Sequence, residues 1–356
     1  MKIRRISTWI EHFELSRPYT IAFRTVDSVR NGIVRIETAD GSSGLGCASP
    51  EEFVTGETWD ACGAALAEPT LQWLVGRSVH ELTALGRELR ERLPGAPAAR
   101  AAVDIALHDL WAKQLGVPLA DALGRAHTAL PTSITIGIKD ADATVQEAGE
   151  YLGRGFSVLK VKLGHSLDDD IHRLRRLRDF TGEETVIRVD PNQGYFADEV
   201  SRFVEATAAL DIEFLEQPMK ADNVDAMRAL PDAVKDRLAA DETLLGPSDA
   251  LALVQPPRAC GIFNIKLMKC GGVHAAKHIA SIAETAEVDL MWGCMDESVV
   301  SISAALHAAF SSPATRYIDL DGSLDLARDV ADGGFRLEDG VMRTLDTPGL
   351  GVTLRE

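Results

Sequence analysis

The chain has 356 residues, 46% apolar and 26% charged, which is enough to bury a large core and is ordinary for a soluble enzyme. Its 37 Lys and Arg against 54 Asp and Glu give a net charge of −17, which repels phosphate backbones and anionic lipid headgroups and makes nucleic acid a poor partner. No apolar stretch approaches the ~20 residues of a membrane span, the charged start MKIRRISTWIEHFEL has no signal-peptide core, and five scattered cysteines form no paired framework, so a cytoplasmic setting is expected.

In chain order, residues 2–13 and 31–38 alternate apolar and polar and predict antiparallel strands, with a Gly- and Ser-containing turn near 40–46 and an irregular stretch at 17–30. From Thr58 to about Leu123 an alanine- and leucine-rich helical periodicity takes over, interrupted at Pro94 and Pro97. The N-terminal third therefore reads as a small α+β unit. Beyond Leu130, eight short β-branched runs (132–138, 158–163, 186–190, 213–216, 238–241, 262–267, 289–292 and 317–321) alternate with amphipathic stretches. Eight βα units in succession predict a closed parallel barrel. The alternative is an open doubly wound sheet, but no glycine-rich dinucleotide fingerprint follows any of the strands.

One spacing carries most weight. Asp190, Glu216, Asp241, Lys266 and Met291 are separated by 26, 25, 25 and 25 residues, one βα unit per step. Each ionisable residue falls at or near the end of its run, so all gather at the C-terminal mouth of a barrel. Asp190, Glu216 and Asp241 are then three like charges in one place, which repel unless a cation sits among them; hard oxygen ligands suit Mg²⁺, with Mn²⁺ as a substitute. Read separately, each acid could instead cap the helix that follows it.

Lys160 and Lys162 lie two apart in VLKVKLG and share a strand face, with apolar neighbours that argue for burial. Two close ammonium groups are expected to lower each other's pKa and make one of them usable as a base. Lys266 comes four units later and faces Lys162 across the lumen. Bases on both sides of a cation-held carboxylate can remove an α-proton from one face and return one to the other. Such a pair is compatible with elimination or cycloisomerisation, but only racemisation or epimerisation demands it.

The segments KVK, VDPNQGY, EQP, ADE and NIKLMKCGG, in this order, resemble the muconate-lactonising subgroup of the enolase superfamily, whose sites pair lysine or histidine bases with Mg²⁺. The resemblance runs from the N-terminal strands to the closing PGLGV. It implies a (β/α)7β TIM-like barrel over about 126–324, with an α+β capping domain from 1–125 completed by about 325–356. It also implies Lys162 and Lys266 as bases for opposite stereoisomers, Lys160 as electrostatic helper, and Asp190, Glu216 and Asp241 as metal ligands.

Asp319 and Asp321, in YIDLDG, resemble the pair with which dipeptide epimerases grip a substrate ammonium, and residues i and i+2 of a strand can both point at one cation. This favours a small dipeptide over the substrates of cycloisomerases, o-succinylbenzoate synthases and N-succinylamino-acid racemases. Arg24 matches a position that meets the glutamate carboxylate in L-Ala-D/L-Glu epimerases. Glu51 and Asp296 would border the same cavity and favour Lys or Arg side chains instead. The expected reading is thus an isomerase, a dipeptide epimerase preferring cationic dipeptides, with L-Ala-D/L-Glu specificity as the alternative. Thr135 has the strand parity to line the pocket, and a homo-oligomer is compatible with the sequence. His274 and His278 have metal-pair spacing but no third ligand nearby, and Cys270 and Cys294 have no histidine placed to activate them.

Overall fold

The computed structural model describes residues 2–21 and 24–355, with side chains described outside 19–25. Strands β1 (Ile3–Ile21), β2 (Arg24–Thr38) and β3 (Ser43–Ala48) form an antiparallel sheet. The 17–30 stretch, expected to be irregular, instead continues the β1–β2 ribbon: after a register shift beyond Glu14, Tyr19 pairs with Val26 and Ile21 with Arg24. Val26 is buried but Asp27, Ser28 and Arg30 are exposed, so burial there follows no regular alternation that the sequence could show. The expected turn at 40–46 is also corrected. It ends by Ser42, and the glycines that suggested it belong to β3. A Cβ at Gly44 would lie 2.1 Å from the Ala106 carbonyl oxygen and one at Gly46 1.8 Å from that of Ala102, so glycine lets helix Pro97–Leu115 pack directly on the strand.

That helix opens with Pro97 at its first turn, where the missing N–H costs nothing. It is buried on most of its surface between the sheet and the helices of the second unit. Asp109, fully buried in it, accepts from the Leu45 amide (3.0 Å), the Leu350 amide (2.9 Å) and Lys113 Nζ (2.7 Å), tying the N-terminal sheet to the C-terminal segment. The α+β cap is therefore built from both ends of the chain.

The remaining core is a parallel barrel. Its strands are β4 (Ile134–Ile136), β5 (Val158–Lys162), β6 (Val186–Asp190), β7 (Ile212–Glu216), β8 (Leu238–Ala240), β9 (Ile262–Ile265), β10 (Asp289–Trp292) and β11 (Thr315–Ile318). They neighbour one another in chain order. A parallel bridge between Thr132 and Ile318, with the Ser133 amide donating to the Ile318 carbonyl at 3.2 Å, closes the ring. Seven helical connections lie between the strands, as the eight-run pattern predicted. Phe214, Ala239, Ile262 and Met291 form a separate small core with Tyr317, and the Arg188 guanidinium lies 5.3 and 5.1 Å from the Phe214 and Tyr317 ring centroids. Strand alternation then places the residues two positions further on, at the C-terminal mouth, on the same inward face. No helix among the described residues is long and apolar enough to cross a membrane.

One buried group outside the mouth makes stability depend on pH. His307 accepts the Ala120 amide on Nδ1 at 3.0 Å, and burial lowers its pKa to about 4. A depressed folded-state value means that its contribution is complete above the unfolded value near ~6.5 and is lost as pH falls towards 4, a difference of about 3 kcal/mol. Urea unfolding of wild type and His307→Asn at pH 7, 5.5 and 4.5 should show the wild type losing its advantage over this interval; parallel curves would contradict it.

Candidate active site

The mouth is assembled from strand ends. Asp190 and Glu216 are the last residues of β6 and β7, Asp241 follows β8 and Lys266 follows β9; the three carboxylates are fully buried. Lys160 and Lys162, both on β5, point to the inward face as their spacing required. Since Lys162 is on the second barrel strand and Lys266 follows the sixth, they stand on opposite sides of the ring with the three acids between them.

The contacts are a network of ion pairs. Lys162 Nζ donates to Asp190 Oδ2 at 2.7 Å, and Lys266 Nζ to Asp241 Oδ2 at 2.7 Å. Lys160 Nζ lies 3.3 Å from Asp190 Oδ2, 2.8 Å from Glu216 Oε2 and 2.8 Å from Asp319 Oδ2. The expected depression of lysine pKa is overturned for Lys160, and Lys266 is shifted in the same upward direction. Burial does favour their neutral forms, but Asp319, Glu216 and Asp190 around Lys160, and Asp241 beside Lys266, outweigh it and hold both values up. The acids respond unequally. Burial raises the Asp190 and Asp241 carboxyls, yet their lysine partners bring both below the usual range. Glu216, pushed by burial and then by the negative charge of Asp190, rises to about 8.

This donor set fits a divalent cation. Among the described residues no three His, Cys, Asp or Glu side chains form a ready-made cage, and lysine ammonium groups stand between the carboxylates. Glu216 is nevertheless forced towards its neutral form, and its Oε2 has no aligned hydrogen-bond donor despite the nearby Lys160. Three buried hard-oxygen groups from neighbouring strands, one of them with an oxygen that lacks an aligned donor, match the ligand chemistry of Mg²⁺ or Mn²⁺.

The remaining expected residues fall as follows. Asp319 and Asp321 lie just past the end of β11, and their carboxylates accept their shortest bonds from different donors. Asp319 accepts from Lys160 and from Ser133 Oγ at 2.5 Å, whereas Asp321 Oδ2 accepts the Thr135 amide at 2.8 Å. Burial and the charge of Asp319 raise Asp321 to about 7. Thr135 thus reaches the site through both its backbone amide and its hydroxyl, each of which holds the Asp321 value down. Glu51 stands at the N-cap position of a short helix, Glu52–Thr55, without a side-chain capping bond, and Asp296 lies in the loop after β10; both are half-buried. Ser49 Oγ donates to the Asp296 carbonyl at 2.9 Å, bringing the two loops together. The Arg24 side chain lies outside the described residues. His274 and His278 face each other on helix Val273–Thr285, with ring centroids 4.8 Å apart, and Cys294 Sγ donates to the Asp319 carbonyl at 3.2 Å.

Sequence reasoning missed three residues of the mouth. Asn264 donates to Glu216 Oε1 at 2.8 Å. Lys269 is fully enclosed, donating to the carbonyls of Asp241 (2.6 Å) and Asn264 (3.0 Å) and to Asp241 Oδ1. Gly293 leaves room for the Lys266 arm, since a Cβ there would lie 3.1 Å from Lys266 Cε. The alternation that placed Lys160 beside Lys162 also puts Asn264 beside Lys266 and Gly293 beside Met291.

A closed parallel barrel under a cap made of both termini, with three acids between opposed lysines at its mouth, is the architecture of the enolase superfamily. The chain belongs to the enolase superfamily: residues 143–356 match the family described as enolase C-terminal domain-like, and residues 5–124 the mandelate racemase / muconate lactonizing enzyme N-terminal domain. Within it the chain is an isomerase of the racemase and epimerase kind. The L-Lys-D/L-Arg epimerase of Methylococcus capsulatus is 60% identical over 352 residues, 99% of each chain. The L-Ala-D/L-Glu epimerase of Clostridium acetobutylicum is 36% identical over 340 residues, 95% of each. The crystal structure of the dipeptide epimerase from Methylococcus capsulatus complexed with Mg and the dipeptide L-Arg-D-Lys matches at a TM-score of 0.98 and 60% identity, covering 99% of this chain and 100% of that one.

Proposed function

We propose that this enzyme epimerises the C-terminal residue of L,L-dipeptides by two-base proton transfer, with a preference for Lys- and Arg-containing dipeptides. The observation that carries this reading is the placement of Lys162 and Lys266 across the ring from each other with the acid trio between them. Asp190, Glu216 and Asp241 would hold Mg²⁺, or Mn²⁺ in its place. Bound there, the cation would stabilise the negative charge that develops on the substrate carboxylate when the α-proton leaves. Lys162 takes the proton from one face and Lys266 delivers one to the other; for the opposite epimer the roles reverse. Lys160, enclosed by Asp190, Glu216 and Asp319, supplies fixed positive charge beside the reacting carboxylate. The five free cysteines fit a reducing, cytoplasmic setting. The working division is a cap of 1–125 completed by about 325–356 over a catalytic barrel of 126–324.

Asp319 and Asp321 are the proposed ammonium grip. The burial of Asp319 against Lys160 supports a role in placing charge, and the half-buried Asp321, standing at about 7, gains from a substrate cation. Asp319→Asn and Asp321→Asn are expected to lower kcat/KM for dipeptides by about 10²-fold each, the cost of truncating one partner of a buried charged contact. Unchanged turnover would favour an N-succinylamino-acid racemase, an o-succinylbenzoate synthase or a cycloisomerase.

The side-chain preference rests on Glu51 and Asp296 and on relatives named for Lys and Arg. A dipeptide library read by mass after incubation in D₂O should show deuterium entering Lys- and Arg-containing members ahead of Glu-containing ones. Glu51→Gln and Asp296→Asn should each narrow that preference by roughly tenfold, the loss of one charged contact of about 1.4 kcal/mol. Faster labelling of L-Ala-L-Glu would favour the Arg24-based alternative.

A further inference from the structure

Asn31 is a fully buried amide on β2, far in sequence from the barrel, and nothing in the catalytic arrangement uses it. Its Nδ2 donates to the Asp296 carbonyl (3.2 Å), to the carbonyl of Arg30 (2.8 Å) and to Ser49 Oγ (3.4 Å). Its Oδ1 accepts the Ser298 amide (2.8 Å) and the Cys47 thiol (3.1 Å). Ser49, 6% exposed at the end of β3, adds a second donor to the Asp296 carbonyl. The barrel side of the loop is secured as well: Glu297 Oε1 accepts the Met295 amide (2.8 Å), and Asp329 accepts Ser298 Oγ (2.6 Å) and the Val299 amide (2.7 Å).

The bonds of Asn31 and Ser49 to the Asp296 carbonyl, of the Ser298 amide to Asn31, of the Met295 amide to Glu297 and of the Val299 amide to Asp329 together fix the backbone at 295–299. The same serine that grips the Asp296 carbonyl is two residues before Glu51. We infer that Asn31 and Ser49 form a cap-to-barrel clamp that sets the separation of Glu51 and Asp296, and so act as specificity-positioning residues for the cationic side chain of the substrate. The inference rests on the proposed reading that these two carboxylates recognise that side chain. A buried amide satisfied on donors and acceptors alike is a rigid spacer, because moving the loop leaves several polar groups unpaired at once. The lysines and the acid trio are anchored on other strands, so the clamp bears on recognition of the side chain and leaves proton transfer alone.

The test compares Ser49→Ala, Ser49→Thr and Asn31→Ala with Glu51→Gln and Asp296→Asn, using L-Arg-L-Lys and L-Leu-L-Tyr with Mg²⁺ present. Ser49→Ala removes the hydroxyl's short bond to the Asp296 carbonyl and its longer one from Asn31, so KM for L-Arg-L-Lys should rise about five- to tenfold with kcat within about twofold, the scale of a lost buried bond. Asn31→Ala should do the same more strongly, and Ser49→Thr, which keeps the hydroxyl, should restore the wild-type KM. Turnover of L-Leu-L-Tyr should be unmoved in all three. If Glu51→Gln and Asp296→Asn weaken the cationic substrate but Ser49→Ala changes the two dipeptides in parallel or neither, the clamp is refuted while the reading stands. If those two acid variants leave L-Arg-L-Lys untouched, the reading itself fails and the clamp with it.

Discussion

Lys162→Ala and Lys266→Ala are each expected to abolish net epimerisation, a fall of about 10³- to 10⁴-fold in kcat, the usual worth of a positioned general acid or base. Their partial reactions should differ. With Lys266 removed, Lys162 can still exchange the α-proton of the epimer that presents its proton to β5; with Lys162 removed, Lys266 exchanges only the other. Loss of either ammonium strands a buried carboxylate, Asp190 or Asp241, so folding should be checked by circular dichroism. Asp190 keeps Lys160, and Asp241 keeps Lys269. NMR of each epimer in D₂O distinguishes the outcomes. Full activity in either variant, or exchange of the same epimer by both, contradicts the opposed placement of the bases.

Removing divalent metal is expected to have a comparable effect. The mouth buries Asp190, Glu216, Asp241 and Asp319 together, and burial followed by the charge of Asp190 pushes Glu216 up to about 8. Charge stabilisation at the substrate carboxylate is worth several kcal/mol, so dialysis against a chelator should lower the rate by more than about 10³-fold. Mg²⁺ should restore it, and Mn²⁺ should substitute. Calorimetric titration should show one site, lost in Glu216→Ala. Full activity after metal removal would leave the acid trio without its assigned purpose.

Much of this site was legible because a parallel barrel converts a repeat of about 25 residues into a ring of neighbours. The register of Asp190, Glu216, Asp241 and Lys266 needed only the length of a βα unit, and the shared face of Lys160 and Lys162 only strand alternation. What escaped did so for physical reasons. Lys269 belongs to a single helical turn after β9, where strand parity no longer applies, so its return onto Asp241 is a tertiary fact. The direction of the Lys160 pKa was misjudged because like-charge repulsion was weighed without the carboxylates of Asp319, Glu216 and Asp190 that enclose its ammonium. Gly44 and Gly46 suggested a turn because close approach of a helix leaves the same residue type in a sequence as a tight bend does. The β1–β2 ribbon carries no alternation past Glu14 and could only be read as irregular. Glu51 and Asp296 were named as individual acids, while the Asn31 and Ser49 bonds behind them cross more than two hundred residues and leave no local pattern.

The most direct test of two opposed bases is the isotopic composition of the first product formed. L-Arg-L-Lys should be incubated in D₂O with the Mg²⁺-loaded enzyme and the inverted dipeptide analysed by mass before appreciable substrate is consumed. Two lysines, each exchanging its own protons with solvent, predict that essentially all of the early product carries a single deuteron at the α-carbon while the remaining substrate is still protiated. Early product that retains the original protium, or an α-carbon that never exchanges, would contradict the account.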